Sequence, residues 1–408
     1  MLSIDEALNS VATHLSPFPP VKRYLQDAQG LLLGEKISSP LNSPPFDKAC
    51  MDGYAVRSAD FEKQKPVLKL TGEITAGQVS STKVNSGETI RIMTGAPLPA
   101  GVDAVVQHEL TQFNEATGEI EFKIEAISDG MNVLRCGQIM QEGETIFSEG
   151  IRLRPQELAL LAEVGFDQIA VHQAPRVAVL ATGDELVPVE QTPGPGQIRN
   201  TNEIMLVEQL RQAGAIPVPL GIARDNREEL QAKIELGLQH DMFILSGGVS
   251  AGKLDLVPSV LESLQVEQIF HKVQMKPGKP VWFGQQKQDT GKPPKTVFGL
   301  PGNPVSSMVC FELFVKTAIK RLMGEAELSS LPETVCGKLT SDHLHKGDRP
   351  TFWPMKYELQ EGEVRVTPIN WRGSADLKGT IQADGMALFS NLILSHKAGT
   401  AVNFYPWK

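Results

Sequence analysis

Cysteine is scarce in this chain. Cys50, Cys136, Cys310 and Cys336 are the whole complement in 408 residues, and no two form a Cys-x-x-Cys pair. That excludes a disulfide scaffold and a structural zinc site, and it fits a reducing, cytoplasmic setting. Aromatic residues make up only 6%, which argues against a protein that works by stacking on nucleic-acid bases. Positive charge is in deficit: Lys+Arg 39 against Asp+Glu 48 leaves a net charge of −9. A chain-wide surface for nucleic acid or anionic membrane is therefore excluded, but a local basic pocket is not. No apolar run reaches the length that spans a bilayer. The opening MLSIDEALNSVATHL has early acids and no basic-then-apolar order, so no secretory signal is expected. The 8 histidines show no metal-ligand spacing, and His343 and His345 read as exposed. A G-x-S-x-G nucleophile turn is missing, as is a dinucleotide glycine pattern after RVAVLAT.

Turn formers, by contrast, are plentiful, with Gly 36 and Pro 28. The length exceeds what one core serves and predicts two to four domains. Ser3 and Glu6 have capping-box spacing ahead of the apolar face Ile4, Ala7, Leu8 and Val11, which predicts an N-terminal helix. Short strands follow (VLKLTGEI, ETIRIM, DAVVQHEL, EIEFKIEAI), and RPQELALLAEVG at 154–165 returns to helix as a candidate partner for the first. From about 175 the pattern becomes alternating. RVAVLAT, IPVPLGIA, MFILSGG and TVFGL read as strands. TNEIMLVEQLRQAG, capped by Thr201 or Asn202, reads as a helix, as do NREELQAKIELGL, capped by Asn226, and PVSSMVCFELFVKTAIKRLM. Buried-type strands alternating with helices predict a doubly wound parallel α/β sheet. The tail, with EVRVTPIN and TAVNFYPW, predicts a small β domain. Four parts result: a discontinuous helical linker domain (1–45 with 138–173), an inserted β domain (46–137), the α/β domain (174–323) and a C-terminal β domain (324–408).

Open α/β sheets bind ligands at the carboxyl ends of their strands. Four turns fall at or beside such ends: Thr182-Gly183-Asp184-Glu185, the stretch from Ser246-Gly247-Gly248 to Asp255, Lys276-Pro277-Gly278-Lys279-Pro280, and Pro301-Gly302-Asn303-Pro304. Glycine lets backbone N–H groups approach an anion, and a helix start adds favourable partial charge. Gly247 to Lys253 has P-loop spacing, but Leu254 stands where a hydroxyl must hold Mg2+, so an ordinary P-loop nucleotidase is rejected. Lys276 and Lys279 on a rigid turn can hold a compact oxyanion; taken alone they would be two solvated lysines. The acidic candidates are Asp52, Glu185, Asp225 and Asp255, which could share a Mg2+ ion with phosphates. Each has a plainer reading as a cap or turn acid, Asp225 above all because it precedes a helix. Thr94-Gly95-Ala96-Pro97 reads first as a proline turn.

FDKACMDGYAVR, RIMTGAPLPAG, LATGDEL, SGGVSAGKLD, MKPGKP and GLPGNPVS occur in this order. As a set they resemble the molybdopterin molybdenumtransferases, the bacterial MoeA proteins and the E domain of gephyrin, over essentially the whole chain. The resemblance implies Mg2+-dependent insertion of molybdate into adenylylated molybdopterin, with release of AMP. It implies an elongated four-domain homodimer whose active site lies between subunits. It also implies transient contact with the molybdopterin adenylyltransferase and with enzymes that accept the cofactor. Carried over by position, Asp52, Glu185, Asp225 and Asp255 match catalytic acids, with Asp52 and Glu185 as metal ligands. Lys276, Lys279, Pro280 and Ser306 match an oxyanion pocket, joined by Arg349 of DRP and Ser374 of RGS. Thr94, Gly95, Thr182, Gly183, Ser246, Gly247, Gly248, Ser250, Pro301, Gly302, Asn303 and Pro304 match the rest of the substrate site.

One departure bears on activity. The family has a Glu-Asp pair where this chain reads Gln138-Ile139. Isoleucine neither accepts a hydrogen bond nor binds a cation. Either a nearby acid such as Glu142 substitutes, or the chain is a non-catalytic molybdopterin-binding or scaffold paralogue. On the paralogue reading, Ile139→Asp restores turnover, measured as AMP release. Equal turnover of the two forms removes the basis of that reading.

Overall fold

The computed structural model describes residues 1–61, 66–81, 83–249, 256–288, 293–325, 334–345 and 347–407. The chain divides into two compact units, one of Met1–Glu35, Gly150–Leu158 and Gln168–Lys408, the other of Lys36–Glu149 and Ala159–Asp167. Among the described residues no helix is long and apolar enough to cross a membrane.

The first unit is organised by a six-stranded sheet. Helix α1 (Ile4–His14) precedes it. In chain order follow β1 (Arg176–Thr182), α2 (Thr201–Gln212), β2 (Ile216–Ala223), α3 (Arg227–Gly237), β3 (Met242–Ser246), α4 (Val257–Ser263), β4 (Val266–His271), β5 (Trp282–Gln286) and β6 (Lys295–Leu300). The spatial order is β2-β1-β3-β6-β5-β4. The first four strands are parallel, as the alternating pattern predicts. β5 is antiparallel to both of its neighbours, β6 and β4, because the connections 287–294 and 272–281 are too short for the crossover that parallel strands need. The central strands β1, β3 and β6 are buried almost throughout, since helices cover both faces.

A helical run at 304–322 follows β6, with a π-turn at Phe311–Val315 in its middle. Its Phe311 and Phe314 share a core with Phe283 and Phe298 of the sheet. Each such ring contributes about 1.5–3 kcal/mol by leaving water. The apolar face of α1 (Ile4, Ala7, Leu8, Val11) is buried in this same core, against the 311–322 run. The sequence reading offered 154–165 as its partner; the exposed flank of the aromatic core takes that face instead. The Ser3–Glu6 capping box forms as predicted, with Ser3 N–H donating to Glu6 at 2.7 Å and Glu6 N–H to Ser3 Oγ at 3.2 Å.

The tail folds into a closed five-strand barrel of Val335–Leu339, Glu363–Pro368, Thr351–Gln360, Gly385–Phe389 and Ala401–Pro406. Beside it a two-stranded ribbon pairs His343–Leu344 with Ser395–His396. His343 and His345 are 6% and 2% exposed, whereas Leu344 between them is 69% exposed. This corrects the sequence reading of both histidines as exposed. On a ribbon, residues two apart share a face, and here that face packs on Phe389, with Trp353 against His343.

The second unit holds a six-stranded mixed sheet, in the order Ala104–Gln107, Gly53–Val56, Glu88–Ile92, Val67–Ile74, Glu119–Phe122 and Thr111–Asn114. Its two faces carry separate cores, one with Ile90 and Ile92, the other with Phe61 and Phe122.

The buried ribbon has a consequence for acid stability. Burial, then the His345 and His396 rings, push His343 from 6.5 down to about 4. Between those values the unfolded chain takes up a proton that the folded chain refuses. This contribution to stability is full above pH 6.5 and is lost as the pH falls toward 4. Among the described residues, the buried His343 Nε2 has no partner, so a ring without it loses no hydrogen bond to them. We expect His343→Phe to narrow the gap in thermal unfolding midpoint between neutral and acid pH. An unchanged gap would remove His343 as its source.

Candidate functional site

The turns predicted from the sequence converge at the carboxyl edge of the parallel strands. β1 ends at Thr182, and β3 runs into Ser246-Gly247-Gly248. Gly247 and Gly248 have φ of +96° and +64°, and a Cβ on them would meet the Thr182 carbonyl oxygen at 2.6 Å and Thr182 Oγ1 at 2.7 Å. Only glycine permits that backbone shape and that approach. A Cβ on Gly302 would stand 3.8 Å from Gly247 Cα, so the turn after β6 adjoins the turn after β3.

These turns line a cavity of about 1010 Å³ with Glu185, Asp225, the start of α2, Asn303 and Pro304 around it. Glu185 and Asp225 are exposed to it from the ends of β1 and β2. Arg224, which the sequence reading missed, shapes this edge. Its Nη1 donates to the carbonyls of Gly183, Asp184 and Leu186 at 3.4, 3.0 and 2.9 Å. The Asp225 N–H donates to Asp184 at 3.1 Å. The only signal in the sequence for Arg224 was its place beside Asp225. The cap of α2 is Asn200, not Thr201 or Asn202: its side chain accepts from Glu203 N–H. That leaves the Asn202 side chain for other bonds.

A second, smaller pocket of about 250 Å³ shares Pro280, Pro301 and Asn303 with the first. Lys276, Lys279 and Arg349 bring three cations to it, and Ser306 and Ser374 bring two hydroxyls. The Lys276-Pro277-Gly278-Lys279 turn is held from the barrel side: Lys276 N–H donates to Pro350 at 2.9 Å, Phe352 N–H to Lys276 at 2.7 Å, and Arg349 Nη1 to Met275 at 3.2 Å. Ser374 accepts from Asn303 Nδ2 at 3.1 Å, and its carbonyl accepts from Val305 N–H at 3.0 Å. Cys310 lies fully buried beneath Gly278, its thiol pushed up by burial and therefore inert.

Asp52, Thr94 and Gly95 lie in the other unit. Asp52 Oδ1 accepts from both the backbone N–H and Oγ1 of Thr94, each at 2.7 Å. The Thr94 backbone bond, then its hydroxyl, hold this exposed carboxyl below the usual carboxylate range. Gly53 beside it is required by packing, because a Cβ would stand 2.0 Å from the Val106 carbonyl oxygen. At the departure from the family pattern, Ile139 is 62% exposed. Its N–H donates to Ser43 at 2.9 Å, and Gln138 Oε1 accepts from Arg135 N–H at 2.9 Å. The turn closes without either acid, while Arg135 pairs with Asp47 and Asp129. Glu142 is exposed, in the next turn. Ser250 and Asp255 lie outside the described residues.

Comparison with known proteins adds two family matches: the MoeA N-terminal region (domain I and II) over residues 2–165, and a probable molybdopterin binding domain over 178–321. A molybdopterin molybdenumtransferase of Haemophilus influenzae is 34% identical, over 100% of this chain and 99% of its own length. The Bacillus subtilis protein of the same name is 31% identical, over 98% and 93%. A solved structure of a molybdopterin biosynthesis MoeA protein from Pyrococcus horikoshii superposes with a TM-score of 0.84 at 32% identity, covering 100% of this chain and 99% of that one.

The smaller pocket generates a direct test. A charge-assisted hydrogen bond contributes about 1.5–3 kcal/mol, or roughly 10- to 100-fold in affinity. Lys279→Ala should raise the molybdate concentration needed for half-maximal binding by about that factor. An unchanged requirement would show that Lys279, although it lines the pocket, does not hold the anion.

Proposed function

We propose, for a chain that belongs to the molybdopterin molybdenumtransferase family, that the larger cavity takes adenylylated molybdopterin, the smaller pocket takes molybdate, and the two substrates meet at the shared wall. The chain is an enzyme of molybdenum cofactor biosynthesis, and molybdopterin and molybdate are its substrates. The observation that carries the finer reading is the pair of adjoining pockets that differ in size and charge. One is large and glycine-lined, with Glu185, Asp225 and Arg199 around it; the other is small, with only cations as its charged residues.

Molybdate is a compact tetrahedral dianion. Lys276 and Lys279 act on it as point charges, Arg349 as a planar donor, and Ser306 and Ser374 as hydroxyl donors. The cavity of about 1010 Å³ matches a ligand with both a pterin and a nucleotide part. Its glycine turns allow close approach of the phosphates, and the 304–310 helix start faces the same edge. Asn303, Pro280 and Pro301 line both pockets, so the sulfur ligand of the pterin reaches the oxyanion there.

The rim suits Mg2+. Glu185 and Asp225 are hard oxygen donors lining the cavity, while among the described residues no three His, Cys, Asp or Glu side chains form a ready-made cluster. Such a rim holds Mg2+ by one or two carboxylates together with substrate phosphate and water. When bound, the ion neutralises charge on the adenylate phosphates. The proposal includes a cytoplasmic homodimer in which Asp52 of one copy serves the cavity of the other; its lowered pKa keeps it anionic at neutral pH. The non-catalytic scaffold reading is not favoured, because the transferase relatives match over the full length.

Purified protein incubated with adenylylated molybdopterin, Mg2+ and molybdate should release AMP and form molybdenum-bound pterin. Asp52→Asn and Glu185→Ala should each lower turnover at least tenfold with little change in unfolding midpoint, since exposed polar side chains contribute little packing. No AMP under conditions where a relative is active, or a monomer in sedimentation with ligands present, would overturn this reading.

A further inference from the structure

Asn202 is the second residue of α2 and is 8% exposed. Because Asn200 caps the helix, the Asn202 side chain does not, and it reaches two other segments. Its Nδ2 donates to Ser246 Oγ at 2.8 Å and to the Gly302 carbonyl at 2.8 Å. One amide thus joins the end of β3 to the turn after β6, the two glycine turns that adjoin in the cavity wall. Its orientation is determined: a flipped amide would set Oδ1 against the Gly302 carbonyl, two acceptors face to face. The arrangement is kept although, among the described residues, the buried Oδ1 finds no partner, which costs stability.

A serine hydroxyl has one proton and two lone pairs. Asn202 occupies a lone pair of Ser246 Oγ, and no described residue accepts the proton. Ser246 lines the cavity, so the open direction for that proton is the ligand space.

We propose that Asn202 is a positioning residue: it aims the Ser246 hydroxyl into the cavity as a donor to an anionic group and locks the 301–304 turn beside it. This inference rests on the proposed reading of the cavity as the substrate site. It adds a residue that stands in the cavity wall and acts through Ser246 and Gly302.

The test is a double-mutant cycle on molybdenum insertion with Asn202→Ala, Ser246→Ala and the pair. Misplacing a donor by about 1 Å costs up to roughly 100-fold in rate. Each single change should lower kcat about 10- to 100-fold, and the pair should be no more than about threefold worse than the worse single. Losses that multiply would overturn the proposal. Asn202→Asp keeps the size but reverses the bond, so that Ser246 donates to the carboxylate and its proton leaves the cavity. It should be as slow as Asn202→Ala, and wild-type turnover by it would also overturn the proposal. A wild-type protein without turnover would count against the function proposed above instead. Crystal structures of the unliganded variants decide the positioning claim in that case. With Asn202→Ala or Asn202→Asp, Ser246 should rotate and the 301–304 turn should shift. Both unmoved would overturn the proposal.

Discussion

The backbone of Gly247 and Gly248 presses against Thr182, and much of the described cavity wall depends on that approach. A methyl group at either glycine would stand within van der Waals distance of Thr182 oxygens. The strand ends β1 and β3 can therefore sit side by side with their turns folded inward, and the turn after β6 closes onto them. The Gly247 N–H donates to the Leu300 carbonyl at 3.0 Å, which ties the turn after β3 to the end of β6. Among the described residues, Thr182 Oγ1 and Asn202 Oδ1 are buried there without partners. A wall that retains such unpaired atoms gives up stability for a defined shape, as binding surfaces do.

The wall separates two electrostatic environments within a few residues. Carboxylates stand on one side, at the ends of β1 and β2, and three cations on the other, around the Lys276–Lys279 turn. A chain with net charge −9 can still hold a dianion, because the field at a pocket is set by its nearest charges. The cationic turn is rigid because strand Thr351–Gln360 and the residues before it anchor both sides of Lys276. Arg349 and Ser374 come from the C-terminal region, so the barrel helps to build the anion pocket.

Asp52 follows a different local logic. Two donors from one threonine hold its carboxylate ionised and oriented on an exposed loop. The sheet behind it admits only glycine at 53. The motif Met51-Asp52-Gly53 thus combines one residue suited to chemistry with one required by packing, and the same spacing serves both. At Gln138-Ile139 the turn closes through main-chain bonds and Gln138, so local folding survives the loss of two acids.

Local patterns in the chain determined much of this protein. Alternating apolar strands and amphipathic helices, the Ser3–Glu6 cap, and glycine turns at strand ends were legible because each depends on neighbours within a few residues. The six motifs were legible as a family set for the same reason. Tertiary structure alone decided which turns meet, that β5 and β4 run antiparallel, and that α1 buries its face in the aromatic core. It also placed His343 and His345 inside, although a His-Leu-His alternation suggests the reverse. Asn202, one of two residues at which the sequence predicts a cap, is a bridge between Ser246 and Gly302, and Arg224 has no signal beyond its place beside Asp225. Such roles depend on partners about 40 to 100 positions away, and no periodicity along the chain records what folding brings alongside.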